Sequence, residues 1–337
     1  MPLRLLLSIV LLTPFGIANA GDYAAHAKLP LLLQTLQQQE GFNQHELNWV
    51  RQSLSQAKRI PALIQAEQKS AEKTENWTQY AAKRVDPRRI SLGADFIGQH
   101  RHWLLQAEAE YGVPAAVIAG VLGLETNYGG FTGNARVLDS LATQGFDHPR
   151  RSRFFFSELV NFFAFCKEFG LDPTTLKGSY AGAMGWAQFM PSNYRRLSLD
   201  YDGDGRRDLW TAADAIGSIA RYLVEYDRKR SWVRGQPLAV RATLSRPVAA
   251  SVARNKKNTT HSVDQLRALG VKPAVSLPGH LRAGLVELDV DGGKEYWIGL
   301  HNFYAVMSYN PRVLYAMTVT RLAQEIEKQS AQRASAS

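Results

Sequence analysis

The chain is predicted to be mainly α, an α+β fold in which helices dominate and the strands are confined to one small insertion. Three observations carry this. Apolar residues recur at helical spacing through most of the 337 residues. One stretch, from about 237 to 300, changes to strand-like alternation. Capping residues, glycines and prolines stand where each pattern starts or stops.

Taken in order, the chain opens on Arg4, an apolar run over 5–17 and Ala18-Asn-Ala20. A charged start, a short apolar run and small residues at −3 and −1 make 1–20 a signal peptide. The run is too short to span a bilayer comfortably, and no cysteine lies near the cleavage point to take a lipid. The expectation is an exported protein beginning at Gly21, with no stable membrane anchor.

Residues 21–110 read as an α-rich N-terminal domain. Asn43-Gln-His-Glu46 is a capping box, and Leu47, Val50, Leu54 and Ala57 follow at helical spacing. A further helix is expected from about Ala94 to Tyr111, closed by Gly112. Pro114 opens the next helix and Gly129-Gly130 stops it. The Phe-rich stretch 150–170 is a buried helix ended by Gly170, and 211–228 is amphipathic. Residues 237–244 form a strand, and 285–290 and 295–300 a hairpin turning on Asp291-Gly-Gly293. A short helix is expected over 262–269 and a longer one over 311–328, followed by a frayed tail, 329–337. The divisions are 21–110, a core over 111–230, a β domain over 231–294 and a closing segment over 295–328.

Cys166 is the only cysteine, so no internal disulfide can hold an exported fold together. About 315 residues bury enough surface to make that unnecessary. The formal net charge of +10 favours an anionic partner such as a wall polymer. The basic residues are scattered and form no nucleic-acid motif, so nucleic acid is not expected as a partner.

Three motifs carry chemistry. Glu125 lies at position i+7 of the stripe Ile118, Val121, Leu122, where a core hydrocarbon is expected. Partial burial and the negative end of the helix dipole both raise a carboxyl pKa, which suits a general acid near neutral pH. A solvated Glu at a fraying helix end fits the same pattern. Gly178-Ser-Tyr-Ala-Gly-Ala-Met-Gly-Trp-Ala-Gln-Phe-Met-Pro191 mixes close-approach residues with the hydrogen-bonding Ser179 and Gln188. That suits a sugar cleft, and equally a tight packing turn. Asp200, Asp202 and Asp204, with Gly205 sixth and the carbonyl of Arg206 seventh, match the start of an EF-hand-like calcium loop. Thr211 stands where the bidentate Glu belongs, and Asp214 is the nearest later carboxylate.

In this order, Glu125-Thr-x-x-Gly129, the 178–191 stretch, the acidic loop leading to Leu209-Trp210, and Asn302-Phe-Tyr304…Tyr309-Asn310 resemble the B-type lytic murein transglycosylases of glycoside hydrolase family 103. The resemblance spans nearly all of the chain beyond the leader. It implies a lysozyme-like core and a periplasmic enzyme. The expected reaction is cleavage of the β-1,4 bond between N-acetylmuramic acid and N-acetylglucosamine in peptidoglycan, leaving 1,6-anhydro ends. It places Glu125 on the family's single acid/base. Ser179, Met184, Gln188, Phe189, Tyr222, Asn302, Tyr304 and Tyr309 fall on or beside glycan-holding positions, and Arg150 and Arg151 on a basic pair near the groove. The metal set becomes Asp200, Asp202, Asp204, the Arg206 carbonyl and Asp214, holding a structural Ca²⁺; no organic cofactor is expected. Glycan strands are the expected partner, and other cell-wall enzymes are compatible ones. Phe154 and Asn127-Tyr128 depart from the family pattern. A water-using lysozyme-type hydrolase and a non-catalytic wall-binding protein are the competing functions.

Overall fold

The computed structural model describes residues 22–66 and 74–336; the expected signal peptide lies outside the described residues. Helices α1 (Leu29–Glu40), α2 (Gln44–Leu54), α3 (Ala62–Ala66) and α4 (Trp77–Ala82) open the chain. The capping box at α2 forms: Glu46 N donates to Asn43 Oδ1 at 3.0 Å, and Asn43 N to Glu46 Oε2 at 2.8 Å. Its Leu47, Val50 and Leu54 are buried in the main core.

The single helix expected over 94–111 is instead two, α5 (Pro87–Gln99) and α6 (Arg101–Tyr111), broken at His100. Asp86 caps α5 through Arg89 N, and Pro87 pre-sets its first turn. At the break, His100 N closes α5 on Phe96 O at 2.9 Å. The bend lets α5 pack on α7 (Ala115–Thr126) and α14 (Val313–Ala336) while α6 turns to α11 (Ala212–Glu225).

Helix α7 is the centre of the fold. It is apolar all round, with Ala116 to Gly123 buried, so the one-sided stripe expected of it is a fully enclosed helix. Gly120 allows this: a Cβ there would stand 3.3 Å from Val319 O of α14. After β1 (Ala135–Arg136), α8 (Val137–Asp147) and α9 (Ser152–Phe169) pack against each other; β2 (Lys177–Gly178) pairs with β1, and α10 (Pro191–Leu197) rests on α9.

The β insertion is an antiparallel five-stranded sheet of order β4-β6-β7-β3-β5, formed by β3 (Ala239–Leu244), β4 (His261–Ser262), β5 (Val271–Pro273), β6 (Arg282–Val290) and β7 (Gly293–Leu300). Val290 pairs with Gly293, so the expected hairpin turns on Asp291-Gly292, with Gly292 at φ +80°. Because β7 belongs to this sheet, the sheet runs past the boundary expected at 294. One side of it closes a small core with α12 (Val263–Ala268), built on Val263, Leu266, Leu285 and Ile298. Val286, Leu288 and Trp297 join the main core instead.

Two differences lie at the C-terminal end. Helix α13 (His301–Tyr309), not expected from the sequence, starts directly after β7 within the closing segment 295–328. Helix α14 runs to Ala336, through the expected frayed tail; Arg333 Nη1 reaches Asp95 Oδ1 of α5 at 2.6 Å and gives the last turns a tertiary anchor. Among the described residues, no single helix is long and apolar enough to cross a membrane.

Candidate active site

Glu125 lies in the last turn of α7, and the three residues after Thr126 stop the helix there. Asn127, Tyr128 and Gly129 all have positive φ, at 51°, 59° and 81°. Such a run is costly for side-chain-bearing residues and persists only where the surroundings enforce it. Thr126 Oγ1 donates to Trp186 O at 3.1 Å and accepts from Gly129 N at 3.0 Å. A Cβ at Gly129 would lie 2.2 Å from the Trp186 indole, so only glycine fits. Tyr128, one of the departures from the family pattern, donates its hydroxyl to Arg89 O at 2.9 Å. The phenol fills space left by Gly93 and Gly123. The turn is therefore locked to the 178–191 motif and to α5.

The Glu125 side chain is half-buried, and burial pushes its carboxyl up to about 7 from the ordinary 4.5. Tyr315 Oη donates to Glu125 Oε1 at 2.6 Å, which opposes that rise by stabilising the charged form. No neighbouring charge among the described residues contributes, so Glu125 has no carboxylate partner. Around it stand phenols. Tyr309 donates to Ala187 O, Tyr222 to Ser308 O at 2.9 Å, and the Tyr222 and Tyr309 rings lie 4.5 Å apart. Burial, with the Glu125 charge adding, holds Tyr309 and Tyr315 far above the ordinary phenol range. Tyr315 was missed in the sequence. It stands at i of the apolar series Val319, Leu322, Ile326, a polar tip on a core stripe, the same signal that singled out Glu125.

The remaining expected residues divide by what they touch. Ser179 and Ala183 close a turn, Ser179 N to Ala183 O at 2.9 Å and Ala183 N to Ser179 Oγ at 3.1 Å. Met184 and Phe189 pair through their backbones and are buried, so they form the body of the wall. Gln188, at φ 49°, donates through Nε2 to Thr132 O and Gly185 O at 3.0 and 2.9 Å. Asn302 is fully buried; its amide donates to Val233 O and Gln236 O, and its carbonyl accepts from Val233 N. Those bonds make it a clamp on the 233–236 turn. Tyr304 is buried beneath the sheet, where a Cβ on Gly284 would meet its hydroxyl.

Arg150 and Arg151 are exposed at the α8–α9 corner, their amides donating to His148 Nδ1 at 3.1 and 3.0 Å. The Arg151 guanidinium lies 5.1 Å above the ring of Phe154, the other departure from the family pattern, which is itself exposed.

In the acidic loop, Asp200, Asp202 and Asp214 bring carboxylate oxygens within 4.8 Å of one another. Asp204 is outside that group and accepts from Arg206 N at 2.8 Å. Asp200 Oδ1 is buried with no hydrogen-bond partner. Asp214 is buried and accepts from Tyr201 N and Asp208 N, both at 2.6 Å. Converging carboxylates and an orphaned oxygen fit a hard divalent cation.

A helical core that presents one carboxyl, pushed up to about 7 among phenols, offers a group able to give and take a proton near neutral pH. The chain belongs to the family described as Transglycosylase SLT domain, matched over residues 27–324. It is 37% identical over 315 residues to membrane-bound lytic murein transglycosylase B of Escherichia coli K12, covering 91% of this chain and 84% of that protein. The fold matches Escherichia coli Slt35 in complex with calcium, with TM-score 0.82, 36% identity, and coverage of 93% and 96% of the two chains. It also matches Pseudomonas aeruginosa SltB3 in complex with NAG-NAM-pentapeptide, with TM-score 0.75, 28% identity, and coverage of 89% and 79%. The mainly α fold with its lysozyme-like core is thereby shared with lytic transglycosylases.

Proposed function

We infer that this protein is a peptidoglycan lytic transglycosylase in which Glu125 is the single acid/base. The observation that carries the reading is the half-buried Glu125 carboxyl, pushed up to about 7, held by Tyr315 and without a carboxylate partner among the described residues. Two-carboxylate glycosidases place the second group about 5 Å away, or further to admit a water. With one carboxyl, Glu125 donates its proton to the glycosidic oxygen between N-acetylmuramic acid and N-acetylglucosamine as the C1–O bond breaks. The muramoyl acetamido group stabilises the charge developing at C1. The carboxylate then takes the proton of the sugar's own C6 hydroxyl, whose oxygen bonds to C1 and closes the 1,6-anhydro ring. The internal nucleophile gains from proximity, and no water is consumed.

The 178–191 wall, with Ser179, Met184, Gln188 and Phe189, and the paired rings of Tyr222 and Tyr309 shape the glycan cleft, with Tyr304 supporting it from beneath the sheet. Asn302 braces it from behind, and Arg150 and Arg151 meet stem-peptide carboxylates. Calcium is held by Asp200, Asp202 and Asp214, with Asp204 and the Arg206 carbonyl as expected members of the set; it neutralises the loop. The leader 1–20 delivers a soluble enzyme to the periplasm, where glycan strands, and other cell-wall enzymes, are its partners.

The test is digestion of purified sacculi by wild type and Glu125→Gln, with products weighed by mass spectrometry. Products one water lighter than reducing-end muropeptides, absent with the variant, are expected. Reducing-end products would identify a hydrolase, and wild-type turnover by Glu125→Gln would remove the assignment.

A further inference from the structure

A cavity of about 660 Å³ lies between the end of α9, α10 and the acidic loop, and neither Glu125 nor any residue of the 178–191 stretch lines it. Its floor is apolar and aromatic: Phe169, Leu171, Leu176, Tyr194 and Trp210. Arg206 and Arg207 stand at its wall. That volume falls within the range of pockets that enclose small ligands.

The charges at this cavity are not balanced by one another. Glu168 is taken up by Arg195, whose Nη2 and Nε donate to its Oε1 at 2.6 and 2.9 Å. Asp208 Oδ1 accepts from Trp210 N at 2.8 Å. On the cationic side, the exposed Arg206 guanidinium has no ion pair among the described residues. The Arg207 guanidinium carbon lies over the Phe169 ring, 4.6 Å from its centre, and Nη1 donates to Arg195 O at 3.2 Å. The ring contact and the bond to Arg195 O hold this guanidinium in place, and its remaining N–H groups are left for a planar anion. The wall is rigid as well as cationic. Gly205 N is tied to Asp200 Oδ2 at 2.9 Å and Asp208 N to Asp214 Oδ2 at 2.6 Å. Tyr194 Oη donates to Arg207 O and accepts from Leu209 N, both at 2.9 Å.

We propose that this cavity is a second, non-catalytic binding site for a short carboxylate-bearing peptide, the stem peptide of the peptidoglycan strand. The leucine and aromatic floor takes the methyl and methylene groups of such a peptide, and Arg206 and Arg207 take its carboxylates. The assignment of the peptide to peptidoglycan rests on the proposed function; the preference for an apolar anion rests on the cavity alone. A second foothold keeps the enzyme on a cross-linked polymer between cleavage events and adds avidity without new contacts in the cleft.

The test titrates the sugar-free stem tetrapeptide into the calcium-containing full chain by calorimetry, with four proteins compared. These are Glu125→Gln, and Glu125→Gln combined with Arg207→Glu, with Leu171→Glu, or with the pair Arg150→Ala and Arg151→Ala. Arg207→Glu and Leu171→Glu should each weaken binding about tenfold or more, the scale of one charge-assisted contact, and the cleft pair should leave most of it. Two variants on different walls keep the result readable if one fails to fold, which thermal melting reports. Binding lost only with the Arg150 and Arg151 pair, or no binding by the parent, overturns the proposal. Anhydro-muropeptide release by the wild type is measured alongside, so a failed proposed function appears there and not in the titration.

Discussion

Replacing Glu125 by Gln should stabilise the protein, and the gain should depend on pH. A carboxyl at about 7 in the folded chain and 4.5 in the unfolded one keeps its proton longer when folded. Between these values the native state binds more protons than the unfolded state, so wild-type stability falls as pH rises through that window and levels off above it. The whole gap corresponds to about 3 kcal/mol, at about 1.36 kcal/mol per pKa unit. Gln carries no titrating proton and keeps an oxygen to accept from Tyr315, so the variant escapes the loss. Below pH 4.5 both proteins are neutral at this position and should be nearly equal. Above pH 7 the variant should lead by up to about 3 kcal/mol, on the order of 5 °C in melting midpoint for a chain of this size. Urea denaturation at pH 4.5, 6 and 8 measures it. A difference that stays the same at all three would mean that the Glu125 carboxyl ionises normally, and the single-acid reading would lose its support.

If the same carboxyl is the acid, wild-type cleavage of sacculi should decline through pH 7 as the acid form is depleted, to roughly a tenth of its acid-side plateau by pH 8 where chemistry limits the rate. Tyr315→Phe removes the bond that favours the charged form, so the alkaline limb of the rate profile should move to higher pH. A profile displaced downwards would contradict the role given to Tyr315. Calcium should raise the melting midpoint over that of chelated protein, and Asp202→Ala or Asp214→Ala should abolish the rise; an undiminished rise in both variants places the cation elsewhere. Gly129→Ala drives a Cβ to 2.2 Å from the Trp186 ring at a positive φ, so a loss of about 2 kcal/mol or more is expected by urea denaturation.

What was legible in the sequence was whatever is local. The Asn43 capping box, a hairpin turn at Asp291-Gly292 and a helix ending at Glu125 depend on residues close in the chain; the box forms as expected, the turn is one residue shorter than expected, and the helix is enclosed all round rather than on one stripe. What was not legible depends on distant packing. The chain bends at His100 because α5 and α6 have different partners, and 329–336 stays helical because Asp95 awaits Arg333. Asn302 illustrates the limit within the candidate site. The family resemblance puts Asn302 on or beside a glycan-holding position, yet its donors and carbonyl already hold Val233 and Gln236, residues far away in sequence.

The phenols around Glu125 bear on the proton traffic more than on binding alone. Tyr309 and Tyr315 sit far above the ordinary phenol range, so neither ionises at a pH where the protein is folded and working. Their hydrogens are directed to Ala187 O and Glu125 Oε1, which leaves them as fixed dipoles. No charge of a second acid or base acts on Glu125 among the described residues. In the proposed reaction both proton movements, to the leaving oxygen and from the attacking hydroxyl, therefore fall to one carboxyl. A carboxyl that must give a proton and then recover one within a turnover works best with a pKa near the ambient pH. Burial raises the value, and the Tyr315 hydrogen bond restrains it. In that scheme the donor is recharged by the very hydroxyl that closes the ring, so neither water nor a second residue has to restore it.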